Sequence, residues 1–134
     1  MITKKRNPVV HFEMPAKDKK RVKTFYEEAF GWGMNQLGKD MGEYLLATTT
    51  ETDPKTERAI TPGAINGGFF ESGEYVTVPH LVISVDNLKE HIKIVRKAGG
   101  KILGEPMDIP GIGKFVMFTD TEDNRVGMLE PVKM

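Results

Sequence analysis

The stretch HLVISVDNLKEHIKIVRKAGG, residues 80–100, decides the fold. It begins with a short apolar run typical of a strand, passes Asp and Asn, continues as an amphipathic segment and stops at glycine. The same order of features occurs in HFEMPAKDKKRVKTFYEEAFG, residues 11–31, at an offset of 69 residues that places His11 over His80. Two similar segments of this kind indicate an internal repeat. The sequence therefore predicts two copies of one structural unit.

Each copy is predicted to have the order β-α-β-β-β. The first strands cover residues 9–14 and 80–84, and the helices cover about residues 17–30 and 88–98, each ended by glycine. A turn and strand follow at residues 42–48 and, at an offset of 71, at residues 113–119. The remaining strands are expected near residues 32–37, 64–70, 101–106 and 125–130. The modules are placed at about residues 7–71 and 77–131 of a single domain, 1–134.

The composition excludes several classes of protein. The 134 residues carry 19 basic and 19 acidic side chains, so no net field favours nucleic acid or an anionic membrane. The absence of cysteine excludes disulfides, thiolate catalysis and iron–sulfur clusters, and it fits a cytoplasmic protein. No apolar run approaches the roughly 18 residues that span a bilayer. A polar segment, residues 49–62, is a candidate lid because long loops are uncommon in compact domains.

Two longer stretches carry a family resemblance. NPVVHFEMPAKD…FYEEAFGW and VPHLVISVDN…AGGKILGEPMDIPGIGKFVMFTDTEDNRVGMLEP resemble the glyoxalase/bleomycin-resistance/dioxygenase (vicinal oxygen chelate) superfamily, and within it the uncharacterised group related to lactoylglutathione lyase. The resemblance implies an α+β fold in which two tandem βαβββ modules form paired half-barrel sheets around a shared cavity. It also implies homodimers, as in the bleomycin-resistance members.

The resemblance implies metal-ligand positions on the first and last strand of each module. The first-strand positions fall on His11 and His80, which can bind metal. The last-strand positions fall at or near Gly67 and on Gly127, so the usual carboxylate ligands are absent. A divalent metal held by the two histidines is one hypothesis and not the favoured one. Glu13 is a weaker candidate ligand, because side chains two apart on a strand lie roughly 6–7 Å apart.

Strand alternation points His11 and Glu13 away from the helix, and His80, Val82 and Ser84 likewise, while Leu81 and Ile83 are expected to be buried. The inward side chains could hold a metal, could act in general acid–base catalysis, or could satisfy one another and orient a bound ligand. Trp32 and Tyr44 are expected either to line the cavity or to pack in the core. Gly67 and Gly127 would let a ligand approach the backbone, and His91 is expected to be a packing residue on the second helix.

The expected function is small-molecule binding. Lyase, isomerase or dioxygenase chemistry on a small oxygenated metabolite fits the resemblance, although the missing carboxylates argue against glyoxalase I activity itself. The alternative is a non-catalytic binding or sequestration protein of the bleomycin-resistance type. Fold alone does not decide between these functions.

Overall fold

The computed structural model describes residues 5–41, 43–55, 59–72 and 78–132. Its elements confirm an α+β fold with the order βαβββ occurring twice. They are β1 Val9–Ala16, α1 Lys19–Phe30, β2 Gly33–Gln36, a short 3-10 helix Lys39–Met41, β3 Leu45–Thr48, β4 Asn66–Glu71, β5 His80–Ser84, α2 Leu88–Lys97, β6 Lys101–Ile109, β7 Gly113–Thr119 and β8 Arg125–Pro131.

The chain divides into two compact units, which we call the first unit (residues 11–80) and the second unit (residues 1–10 with 81–134). The N-terminal segment belongs to the second unit, where the Ser84 amide donates to the Pro8 carbonyl at 2.9 Å. The single domain 1–134 and the module boundaries 7–71 and 77–131 stay predictions, as does the shared cavity.

In the first unit the strand order is β2-β3-β4-β1, with β1 parallel to β4 and the other pairs antiparallel. Helix α1 is capped at its start by Asp18, whose carboxylate accepts from the Arg21 amide. It is capped at its end by Gly31, whose φ of 71° is the left-handed conformation that favours glycine. Val22 and Tyr26 recur at helical spacing and pack on an apolar core. That core is formed by the buried residues Ala16, Met34, Leu45, Ala47 and Phe69.

In the second unit the strand order is β5-β8-β7-β6, with β5 parallel to β8. Asn87 caps α2 by accepting from the Glu90 amide, and the Glu130 carboxylate accepts from the Leu88 amide at 2.8 Å. Glu130 therefore satisfies a backbone donor at the start of the helix, which leaves it a structural role. The core on the helix side is formed by Val85, Leu88, Val116 and Met128.

One burial prediction for β5 is wrong. Leu81 was expected to be buried with Ile83, but 48% of its surface is exposed. Ile83 is partly buried against the apolar cluster that includes Val85 and Leu88, and Leu81 is not part of that cluster. Alternation thus assigned the correct face, whereas the packing on that face begins only at Ile83.

Candidate functional site

A chain of hydrogen bonds joins four ionisable side chains of the first unit. His11 Nε2 lies 2.8 Å from the Tyr44 hydroxyl, which donates to Glu13 Oε2 at 3.1 Å. The other carboxylate oxygen, Glu13 Oε1, lies 2.8 Å from His80 Nε2. We call His11, Tyr44, Glu13 and His80 the polar chain. It brings together the three residues that the sequence proposed as catalytic, and it adds Tyr44 between two of them.

The local structure explains why these side chains meet. His11 and Glu13 are two residues apart on β1, so they project from one face of the strand. Phe12, between them, projects from the other face and packs on the core beneath α1. Tyr44 directly precedes β3, and His80 is the first residue of β5.

Burial makes these hydrogen bonds necessary. The side chain of His80 is 1% exposed and that of Glu13 is 15% exposed. A buried polar group left without a partner costs about 1–3 kcal/mol. Within the described residues, no fully buried side-chain nitrogen or oxygen lacks a hydrogen-bond partner. The buried polar atoms of the polar chain therefore all have hydrogen-bond partners.

Counting protons assigns the tautomer of His11. A carboxylate can only accept a hydrogen bond, so the Tyr44 hydroxyl donates its one proton to Glu13. The Tyr44 oxygen must then accept from His11, which places the imidazole proton on Nε2 and leaves a lone pair on Nδ1. In the part of the chain that the structure describes, Nδ1 of His11 has no hydrogen-bond partner. Because no unpartnered side-chain nitrogen there is fully buried, this atom is not fully enclosed.

His80 is enclosed by acceptors on both sides of its ring. Its Nε2 faces the Glu13 carboxylate at 2.8 Å, and its Nδ1 faces the Val78 carbonyl at 3.4 Å. Phe70 covers the ring with a centroid distance of 5.7 Å. His80 is thus positioned to donate to Glu13 and to fix its carboxylate, and it has no nitrogen free for a ligand.

Two pKa shifts follow from this environment. Burial lowers the pKa of His11 below its usual 6.5; the charge of Glu13 opposes that shift and His80 adds to it. Burial also raises the pKa of the Tyr44 phenol, and the charge of Glu13 and the hydrogen bond to it raise it further. At neutral pH the structure therefore holds a neutral imidazole beside a protonated phenol.

The two glycines of β4 face opposite sides. Gly67 pairs with Phe12, and a Cβ at Gly67 would lie 2.5 Å from the Phe12 ring. Gly68 pairs with Glu13, and a Cβ there would lie 2.0 Å from the ring of Tyr44. Position 67 thus lies on the side of the core residue Phe12, and the role of Gly67 in a ligand cavity stays a prediction. Gly68 is the glycine on the side of the polar chain.

The structure also places the other predicted cavity residues. Trp32 stacks on Tyr26 at 4.5 Å and packs in the core beneath α1, so of its two expected roles it has the packing one. Ser84 and Gly127 belong to the second unit, where a Cβ at Gly127 would lie 2.6 Å from the ring of Phe115. The expected place of Ser84 and Gly127 in a ligand cavity stays a prediction.

The candidate lid is attached to β4 at one end. Thr49 donates from its amide to Asn66 Oδ1 at 2.8 Å and from its hydroxyl to the Ile65 carbonyl at 2.6 Å. Farther along, Thr52 and Ala59 form an isolated antiparallel bridge. Residues 56–58 of this segment lie outside the described residues, and its role as a lid stays a prediction.

The polar chain does not fit the metal site that the family resemblance implies. Positions 68 and 127 carry no side chain, and the donor atoms of Glu13 and His80 already hold hydrogen bonds within the protein. Across residues 5–41, 43–55, 59–72 and 78–132, no group of three or more His, Cys, Asp or Glu side chains could hold a metal ion. His11 and His80 therefore form hydrogen bonds to Tyr44 and Glu13 in this geometry and do not ligate a metal.

Comparison with known proteins now decides the family. The model of the Glyoxalase/Bleomycin resistance protein/Dioxygenase superfamily matches residues 9–128. The chain belongs to this superfamily. It is 32% identical over 120 residues to a glyoxylase-like domain-containing protein of Didymella fabae, with 84% of each chain covered.

Similar solved structures establish the superfamily fold. Methylmalonyl-CoA epimerase from Mycobacterium tuberculosis is 14% identical with a TM-score of 0.64, and the match covers 93% of this chain and 88% of the epimerase. A hypothetical protein from Bacillus halodurans C-125 is 16% identical with a TM-score of 0.66, covering 97% and 98%. The E43Q variant of the Streptomyces coelicolor epimerase, in complex with 2-nitronate-propionyl-CoA, is 14% identical with a TM-score of 0.61, covering 90% and 94%. No helix among the described residues is long and apolar enough to cross a membrane.

Sequence reasoning missed the bridging position of Tyr44. The signal was present in the repeat, because the offset of 71 places Tyr44 over Phe115. A tyrosine in one copy and a phenylalanine in the other differ by one hydroxyl group, which indicates that this hydroxyl has a partner in the first copy.

Proposed function

We propose that this protein binds a small oxygenated metabolite and transfers a proton on it by isomerase or lyase chemistry, with His11 as the base and without a metal. The observation that carries the proposal is the polar chain. Among the described residues, Glu13 and His80 have partners at both of their polar atoms, and Nδ1 of His11 is the one atom of the polar chain left without a partner. A buried chain of this kind orients an imidazole and stabilises it when it takes up a proton.

The proton transfer follows from the hydrogen bonds. Nδ1 of His11 accepts a proton from a carbon or oxygen of the metabolite, and the ring becomes an imidazolium. The positive charge is then stabilised through the Nε2–H donated to Tyr44, whose own proton is donated to the Glu13 carboxylate. Returning the proton to another atom of the metabolite gives an isomerase, whereas departure of a leaving group gives a lyase. The lowered pKa of His11 keeps the base form populated at neutral pH.

The structural neighbours support the class of metabolite. Methylmalonyl-CoA epimerases share this fold, and the solved complexes hold methylmalonyl-CoA or 2-nitronate-propionyl-CoA. Those ligands contain a carbonyl group beside the reacting carbon, which is where a single base can remove a proton. Glyoxalase I activity is not proposed, because the last-strand positions of the chain carry glycine.

The test is hydrogen exchange on candidate ligands. Small acyl thioesters, 2-hydroxy ketones and 2-oxo acids are incubated with the protein in D2O, and deuterium at the carbon beside the carbonyl is followed by NMR. We expect one class to exchange, with a loss of about 100-fold in His11→Ala. His91→Ala, which removes a histidine of the second unit, is the matched control and should retain the wild-type rate. Equal exchange rates in His11→Ala and the wild type would contradict the assignment of the base.

A non-catalytic binding protein is the second candidate. The observation that favours it is that both carboxylate oxygens of Glu13 and both ring nitrogens of His80 already have partners inside the protein. Such a network can shape a binding surface without reacting. In that case calorimetry would detect ligand binding, and His11→Ala would retain most of the affinity. No ligand would exchange hydrogen for deuterium.

Homodimerisation and a cytoplasmic location complete the proposal. The dimer is proposed from the family, and it offers a reason for the large exposed side chains on α1, where Phe25 is 55% and Phe30 is 63% exposed. Size-exclusion chromatography with light scattering measures the state directly, and a monomer at micromolar concentration would contradict it. The cytoplasmic location rests on the absence of cysteine.

A further inference from the structure

The Tyr44 hydroxyl bridges an imidazole and a carboxylate, two groups that can each ligate a metal ion. Its hydroxyl oxygen lies between His11 Nε2 at 2.8 Å and Glu13 Oε2 at 3.1 Å, the nitrogen and oxygen donors that face each other across this point. A zinc ion shared by an imidazole and a carboxylate lies at about 2.0–2.2 Å from each donor. An ion bound by both groups would therefore take the place of the hydroxyl oxygen, with the two side chains drawn closer to it.

The ring of Tyr44 excludes a further ligand from the neighbouring strand. Gly68 pairs with Glu13 on β1, so a side chain at position 68 would project beside the carboxylate. The three atoms nearest to a Cβ built there all belong to Tyr44, at 2.0, 2.2 and 2.2 Å. Position 68 does not have a positive φ, so the ring rather than the backbone keeps it a glycine.

We propose that Tyr44 determines the cofactor specificity of the first unit by excluding divalent metal. Its hydroxyl replaces the ion as the bridge between His11 and Glu13, and its ring keeps a third donor out at Gly68. A neutral, protonated phenol is suited to this role because it both accepts from the imidazole and donates to the carboxylate. The inference concerns metal binding only. It shares with the proposed function the absence of a metal, but it does not depend on His11 acting as the base.

The experiment measures zinc and nickel content by elemental analysis after metal loading and exhaustive dialysis. The background is low, since the chain has no cysteine and three histidines. We expect no retained metal in the wild type or in Tyr44→Phe, which keeps the ring. The double variant Tyr44→Ala/Gly68→Glu frees both donors and adds a carboxylate beside them, so we expect close to one metal ion per chain. Adding His11→Ala to it should abolish retention.

Two further measurements keep the inference falsifiable. Circular dichroism establishes that the double variant is folded. If it is not, Tyr44→Ala alone is titrated with zinc, and we expect about tenfold tighter binding than in Tyr44→Phe. The inference is overturned if the wild type retains metal that His11→Ala loses. It is also overturned if the folded double variant retains no more metal than the wild type. Where Tyr44→Ala is used instead, zinc binding no tighter than that of Tyr44→Phe overturns it.

Discussion

The two units have similar backbones but carry different side chains at matching positions. In the first unit Glu13 pairs with Gly68, and the ring of Tyr44 covers that glycine. In the second unit Val82 pairs with Gly127, and the ring of Phe115 covers that glycine. Glu13 lies over Val82 and Tyr44 over Phe115 in the repeat. The arrangement of an aromatic ring on a glycine is thus common to both units, whereas these two positions carry ionisable side chains only in the first unit.

The difference shows what each arrangement contributes. In the second unit Val82, Phe115 and Met117 form a buried apolar cluster, with Leu103, Ile109 and Leu129 packed against it. Its stability comes from removing apolar surface from water, which requires no exact donor and acceptor geometry. In the first unit the same positions carry a carboxylate and a phenol that must be paired with two histidines. The first unit therefore carries the candidate chemistry, and we expect it to be more sensitive to single substitutions at these positions.

The largest effect is expected when the first unit is made like the second at position 13. Glu13→Val removes the partner of both His80 Nε2 and the Tyr44 hydroxyl, leaving two largely buried donors unpaired. We expect the free energy of unfolding to fall by about 3 kcal/mol, measured by urea denaturation. Glu13→Gln, which retains an oxygen acceptor, is the control and should lose less. Equal losses in the two variants would show that hydrogen bonding at this position does not stabilise the unit.

The next effect concerns the glycines beneath the two rings. Gly68→Ala forces Tyr44 away from both His11 and Glu13, so we expect a loss of about 2 kcal/mol in the free energy of unfolding. Gly127→Ala displaces only the apolar ring of Phe115 and should cost about 1 kcal/mol. Gly33→Ala is the matched control, since a Cβ there would meet nothing closer than 3.7 Å. A greater loss for Gly127→Ala than for Gly68→Ala would contradict the comparison.

A smaller effect follows from exchanging a single hydroxyl between the units. Tyr44→Phe leaves the ring in place and removes the bridge between His11 and Glu13, for an expected loss of about 1 kcal/mol by chemical denaturation. The reciprocal Phe115→Tyr introduces a hydroxyl into an apolar cluster and should also destabilise the protein. If Tyr44→Phe is as stable as the wild type, the bridge contributes nothing to folding.

The smallest effect is the pH dependence of stability due to His11. Burial lowers its folded pKa below 6.5, so below that pH the unfolded state binds more protons than the folded state. This contribution to stability is complete above about pH 6.5 and declines as pH falls towards the folded pKa, with a slope of at most about 1.4 kcal/mol per pH unit. Urea denaturation from pH 7 to pH 5 should give a shallower dependence for His11→Asn. An unchanged slope would assign the dependence to other groups.

Local pattern was enough to predict the elements and the face of β1 that carries both His11 and Glu13. The period-two alternation of Val9–Met14 set the face of His11 and Glu13, and glycine marked the end of α1. Such signals depend only on residues that are close together in the sequence, so they can be read from one sequence alone.

Register and contact could not be predicted in this way. The choice between Gly67 and Gly68 depends on the parallel pairing of β1 with β4, which joins residues more than fifty positions apart, and consecutive glycines offer no pattern to fix it. The position of Tyr44 between His11 and Glu13 depends on the same non-local pairing. Leu81 was assigned to the correct face but remained exposed, because alternation gives direction and not the extent of packing.

The most direct test of the account is the protonation state of His11 in solution. Long-range proton–nitrogen NMR correlations at pH 7 distinguish Nε2–H from Nδ1–H and from imidazolium, and His80→Ala and His91→Ala assign the three rings. We predict that His11 is neutral, with its proton on Nε2 and a bare Nδ1. An Nδ1–H tautomer or an imidazolium at pH 7 would contradict the bridge through Tyr44 and the role of His11 as the base.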